Sequence, residues 1–147
     1  MCSIKINRHM KRVLLDTNVI IDLLAKREPF DQDARILFSF ADKEKVILYT
    51  SALSIANLSY VLLRKRKPEE AKQILRKLKL LVGILSLDGK IINLALNDNE
   101  FNDFEDGLQY YSALENNIEI IVTRNLKDFK NSRIPVMTAR QLNEIIE

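Results

Sequence analysis

Apolar residues follow two different rhythms along this chain. Short continuous runs at Val13 to Leu15, Val46 to Thr50, Ile84 to Leu87 and Ile118 to Val122 read as strands buried on both faces. Between them, apolar positions recur every three or four residues, the spacing of one helix face. Ala34, Leu37, Phe38 and Ala41 predict such a face on a helix over about 31–42, and Ala71, Ile74, Leu75 and Leu78 predict another behind the first-turn proline Pro68. A helix from Val19 to about Lys26 is expected, capped by Thr17 or Asn18 and ended by Pro29. Ser51 opens a further helix to about Arg66, with Ala52, Ala56, Ser59, Tyr60 and Leu63 as its stripe. Asp88 caps a short helix to about Leu96, and a helix starting near Asp103 runs to about Asn116 with Phe104, Leu108, Tyr111 and Leu114 or Glu115 at helical spacing. Pro135 to Met137 makes a last short strand, after which Thr138 and Gln141 form a capping box for the terminal helix.

Strands therefore alternate with one or two helices throughout. That order predicts an α/β fold with a central parallel sheet, helices on both faces, and a site at the carboxyl ends of the strands. Asp16, Ser51 and Thr123 to Asn125 all fall at such ends.

Composition narrows the chemistry. With 147 residues and 47% hydrophobic content the chain is the size of one domain, read as 10–147 with 1–9 as a short extension, since Met10 is an alternative start. A net charge of +3 does not make a polycation, so a nucleic-acid surface would need local clustering of Lys and Arg. Cys2 is the only cysteine and His9 the only histidine, both near the start, which leaves little material for thiol, Ser-His or His-metal chemistry. Three glycines, Gly83, Gly89 and Gly107, are too scattered for a phosphate-cradling loop. No apolar run reaches the roughly 20 residues that span a bilayer, and the first nine residues lack a signal-peptide core, so a cytoplasmic protein is expected.

Catalysis would then fall to carboxylates. Asp16 ends a buried apolar strand, where an unpartnered carboxylate is costly. Asp103 and Asp106 stand three apart at a helix start, and Asp128 follows the fourth strand. Acids at a helix start also serve simply as caps that complement the dipole. If several meet at one sheet edge, their repulsion calls for a cation, and an oxygen-only donor set favours Mg²⁺ or Mn²⁺, ions suited to phosphodiester hydrolysis.

Leu14-Leu15-Asp16-Thr17-Asn18-Val19-Ile20, Asp103-Phe104-Glu105-Asp106 and Ile121-Val122-Thr123-Arg124-Asn125-Leu126-Lys127-Asp128-Phe129 resemble, in order and spacing, the three signature blocks of PIN-domain nucleases. The resemblance runs from about Met10 to the C-terminus. It implies a three-layer α/β/α sandwich and, through the VapC-like group, a Mg²⁺-dependent endoribonuclease toxin that is restrained by a cognate antitoxin and dimerises. By position, Asp16 resembles the first metal-binding aspartate, Asp106 the helix-start aspartate and Asp103 an auxiliary acid. Asn125 falls where the family has Asp or Asn, and Asp128 is a replacement ligand or a loop residue. Thr123 and Asn18 are expected to support these ligands. Asn57 stands where most PIN nucleases carry Glu; an amide brings no charge, so the ion is expected to be held less tightly.

Arg124 and Lys127 are the expected contacts to an RNA strand. The run Arg64-Lys65-Arg66-Lys67 with Lys72, Arg76, Lys77 and Lys79 reads first as solvated surface, and Tyr60, Tyr110 and Tyr111 as core or dimer contacts. Two rival readings remain open at this level. One is a catalytically weak or dead PIN fold acting as an RNA- or protein-binding module. The other is a phosphatase or phosphoacceptor with Asp16 as nucleophile, which wants an acid where Asn18 stands.

Overall fold

The computed structural model describes residues 10–147. The expectations for residues 1–9, including Cys2 and His9, lie outside the described residues. The elements are β1 (Lys11–Leu15), α1 (Thr17–Leu24), α2 (Phe30–Asp42), β2 (Val46–Ser51), α3 (Ala52–Leu63), α4 (Pro68–Leu81), β3 (Gly83–Leu85), α5 (Gly89–Leu96), α6 (Phe104–Glu115), β4 (Ile120–Val122), a 3-10 helix (Leu126–Phe129), β5 (Val136–Met137) and α7 (Ala139–Ile146).

All strand pairings are parallel, and the order across the sheet is β3-β2-β1-β4-β5. β1 is central, and its residues alternate between two cores as the pleat demands. Val13 and Leu15 join Ile20, Leu37, Leu58, Leu78, Val122 and Leu142 on one face, which α1 to α4 and α7 cover. Leu14 joins Ile121, Tyr110, Ala113 and Phe129 on the other, beneath α6 and the 3-10 helix. α5 packs on α6 through Ile91, Ala95 and Leu108. The expected α/β/α layering is therefore present.

Several boundaries and faces differ from expectation, each for a local reason. The first helix begins at Thr17 because Asp16 itself, rather than Thr17 or Asn18, is the cap, its Oδ1 accepting the Thr17 N–H at 2.8 Å. It stops at Leu24, before Lys26 takes a left-handed φ of 51°, so Pro29 opens α2 instead of ending α1. On α3 the buried positions are Ser54, Leu58 and Leu62, while Tyr60 and Leu63 are exposed. That helix is apolar nearly all round, so several stripes fit its periodicity and only packing selects one. On α6 Leu108 is buried as expected, but Phe104 and Leu114 are exposed and Gln109, Tyr110, Ser112 and Ala113 fill the interior. α6 touches both the sheet and α5, which widens its buried arc. The caps expected of Ser51, Asp88 and Thr138 are all present.

Candidate active site

The strand order places a topological switch point at β1, since β2 lies on one side of it and β4 on the other. In parallel sheets the crevice at that point, outside the carboxyl ends, is where polar groups from two loops converge. Asp16 follows β1 and Thr123 follows β4, and the Asp16 N–H extends the ladder to the Val122 carbonyl at 2.9 Å.

Asp16 is held from three directions. The Thr17 N–H reaches Oδ1, while the Thr123 hydroxyl donates to Oδ2 at 2.8 Å and Asn18 Nδ2 approaches the same oxygen at 3.3 Å. Thr123 is fully buried, and its oxygen also accepts from the Asn125 N–H at 3.0 Å and from Asn18 Nδ2 at 3.3 Å. Asn18 Oδ1 in turn accepts the Arg124 N–H. Thr123 and Asn18 thus orient the Asp16 carboxylate. Burial lifts the Asp16 pKa above the usual carboxylate range; the Thr123 and Thr17 bonds pull it back, the Asp128 charge raises it and that of Arg124 lowers it.

Below this layer lies a polar cluster that the sequence did not single out. Ser54 Oγ receives the Thr17 hydroxyl at 2.7 Å, the Ser51 hydroxyl at 3.3 Å and Gln109 Nε2 at 2.8 Å. The cluster ties the starts of α1 and α3 to α6. Ser54 and Asn57 are three apart on α3, and Asp106 and Gln109 are three apart on α6, so each pair shares a helix face. The buried Ser54–Gln109 contact therefore brings position 57 opposite the first turn of α6.

Asp106 sits in that first turn with its pKa pushed up to about 7. Burial is the main cause, followed by the charges of Asp103, Asp128, Asp16 and Glu105 in that order. These acids are close enough to be felt together. Asp103 serves as the cap of α6, its Oδ1 accepting the N–H groups of Glu105 at 2.8 Å and Asp106 at 3.4 Å. Asn57 Nδ2 donates to Glu105 Oε1 at 3.3 Å, a contact between helices that no local pattern announces. Asn125 is exposed before the 3-10 helix, and its carbonyl accepts the Asp128 N–H at 3.0 Å. Lys127 and Asp128 are exposed on that helix.

Arg124 is held by α1 in this structure. Its Nε and Nη2 donate to the two oxygens of Asp22 at 2.7 and 3.1 Å, and the guanidinium lies 4.3 Å from the centroid of the Phe30 ring. Asp22 is 2% exposed, so this bidentate pair neutralises a buried carboxylate on α1. A cleft of about 310 Å³ beside it is lined by Asp22, Phe30, Asp33, Arg124 and Arg140, among others, and contains none of the clustered acids.

Among the described residues no three or more His, Cys, Asp or Glu side chains come together in a group that could hold a metal ion. Asp16, fixed at the strand ends, with Asp106 in reach of its charge, still suits a hard cation that keeps most of its water, as Mg²⁺ does, since such an ion takes only one or two carboxylates. Its charge would offset the burial and the neighbouring charges that lift Asp106.

Comparison with known proteins places this arrangement in a family. A PIN-domain model matches residues 12–127. Ribonuclease VapC1 of Aquifex aeolicus (strain VF5) is 30% identical over 141 residues, spanning 91% of this chain and 94% of that protein. The chain belongs to the PIN-domain family. Among solved structures, VapBC-1 from nontypeable Haemophilus influenzae superposes with a TM-score of 0.66 at 20% identity, covering 88% of this chain and 98% of the other. A toxin-antitoxin complex from Klebsiella pneumoniae gives a TM-score of 0.64 at 22% identity, covering 86% and 97%. These two bear out the fold.

Proposed function

We propose that this protein is a divalent-metal-dependent endoribonuclease that hydrolyses RNA phosphodiesters, and that it is the toxin of a toxin-antitoxin pair. The observation that carries the chemistry is the Asp16 carboxylate fixed at the switch point by Thr17, Thr123 and Asn18, with the half-buried Asp106 in reach of its charge; a cation would offset both the burial and the neighbouring charges that lift the Asp106 pKa. Asp16 and Asp106 would hold Mg²⁺ or Mn²⁺, with Asp128, Asp103 and the Asn125 amide at its periphery. The ion supplies a Lewis acid and an activated water. Thr123 and Asn18 keep the Asp16 carboxylate aimed, and Lys127 offers an exposed cation to the RNA backbone.

The kinship with a protein named Ribonuclease VapC1 supports the substrate class, and the fold shared with a toxin-antitoxin complex supports an antitoxin partner. A cytoplasmic location suits that role, and no helix of the described residues is long and apolar enough to cross a membrane. Tyr60, Leu63, Leu80 and Leu81 leave apolar surface exposed on α3 and α4 that a second copy could cover in a homodimer.

Purified protein is expected to cleave RNA with Mg²⁺ or Mn²⁺, to stop in EDTA, and to lose roughly a hundredfold or more of its rate in Asp16→Asn. Cleavage that survives EDTA would refute the mechanism. A second reading, an RNA- or protein-binding module without catalysis, draws on Asn57 and on the open ligand set. It requires RNA binding with no heat of divalent binding in calorimetry.

A further inference from the structure

We propose that Gln109 is a positioning residue: through Ser54 and Thr17, its amide sets the Asp106 carboxylate on α6 against the Asp16 carboxylate at the end of β1. The inference rests on the ribonuclease reading above and extends it to a buried residue outside the three signature blocks.

The connection runs bond by bond. The Thr17 N–H holds Asp16 Oδ1 at 2.8 Å, and the Thr17 hydroxyl donates to Ser54 Oγ at 2.7 Å. Gln109 Nε2 donates to the same oxygen at 2.8 Å, and the Ser51 hydroxyl is its third neighbour at 3.3 Å. Three partners are as many as a hydroxyl can bond, so Ser54 is fully committed. Asp106 stands one turn before Gln109 on the same face of α6, within reach of the Asp16 charge. Three hydrogen bonds and one helical turn therefore separate the two carboxylates.

Packing alone does not set this geometry. Tyr110 and Ala113 hold α6 on the sheet, but apolar contact has no direction. Among the described residues two hydrogen bonds join α3 to α6, and the other, from Asn57 to Glu105, is exposed and longer at 3.3 Å.

Stability does not account for an amide at this place either. Gln109 is 5% exposed, and its Oε1 has no hydrogen-bond partner among the described residues. A buried amide oxygen left unpaired costs free energy that an apolar side chain of the same length avoids. What the amide adds is a directed link from α6 to the helix that follows Asp16.

The test is steady-state RNA cleavage by the full chain in Mg²⁺, with thermal melting of each variant. Gln109→Met keeps the length and removes the amide. Its kcat is expected to fall roughly tenfold or more with KM unchanged, while it melts no lower than wild type. Thr17→Val deletes only the hydroxyl and should lower kcat in the same way; Thr17→Ser restores the hydroxyl without the methyl and should recover most of it. If Gln109→Met keeps the wild-type kcat, or if Thr17→Ser loses as much kcat as Thr17→Val, the network only supports the fold. The proposal then fails while the ribonuclease reading stands. If wild type itself cleaves no RNA, both fall.

Discussion

Asp106 bears the strongest electrostatic load in the site, and the load has a sign. Its folded pKa of about 7 lies above the ordinary carboxylate value of 3.8, so the native state favours the protonated form. In EDTA, the stability this group contributes is full below about pH 4 and is lost as pH rises through about 7. Asp106→Asn should remove that slope and stabilise the metal-free protein at pH 8 by on the order of 1 kcal/mol, after allowance for solvent screening of a partly exposed group. Urea denaturation across that pH range checks it; equal slopes in the two proteins would refute the assignment. Thr123 offers a second test. Thr123→Val keeps the shape and deletes the donor to Asp16, so Mn²⁺ affinity should fall about 10- to 100-fold with the far-UV spectrum unchanged.

At the scale of elements, the loop after β4 is anchored by an ion pair as well as by its own hydrogen bonds. Arg124 joins that loop to Asp22 on α1 and stacks on Phe30 of α2, so the segment carrying Asn125 and Asp128 is fixed to the helices that follow Asp16. Removing the guanidinium would strand a carboxylate that is 2% exposed. Arg124→Ala should therefore cost about 3 kcal/mol in chemical denaturation, and Asp22→Asn/Arg124→Met should recover part of it. A direct strand contact would show the other pattern: weaker RNA binding with unchanged stability. The loop before α6 is pinned in a comparable way, since Tyr111 donates to Asp98 and Phe101 stacks on Tyr110 with ring centroids 4.7 Å apart. That bond raises the Tyr111 pKa to about 12 and lowers that of Asp98.

For the whole molecule, ion binding and folding should be linked, because the proposed ligands come from the ends of β1 and β4 and from α6, which are brought to one edge only in the native state. At Mn²⁺ a hundredfold above its dissociation constant, the stabilisation is about 2.7 kcal/mol, which is a rise in Tm on the order of 10 °C for a chain of this size. The rise should be smaller at pH 6 than at pH 8, since protons compete for Asp106. A Tm indifferent to Mn²⁺ would count against the site. The sequence by itself determined the alternation of strands and helices, the burial of Val13 to Leu15 on both sides, and the placing of Asp16 and Thr123 at strand ends, because periodicity and caps are local properties. It also picked out Asp103 and Asp106, whose spacing on one helix is local too. Which stripe of α3 faces inward, the binding of Arg124 by Asp22, and the meeting of Asn57 with Glu105 were decided only by the tertiary structure. Asn57 and Glu105 lie 48 positions apart, and their contact depends on how α3 and α6 pack around Ser54 and Gln109. No local pattern encodes that register.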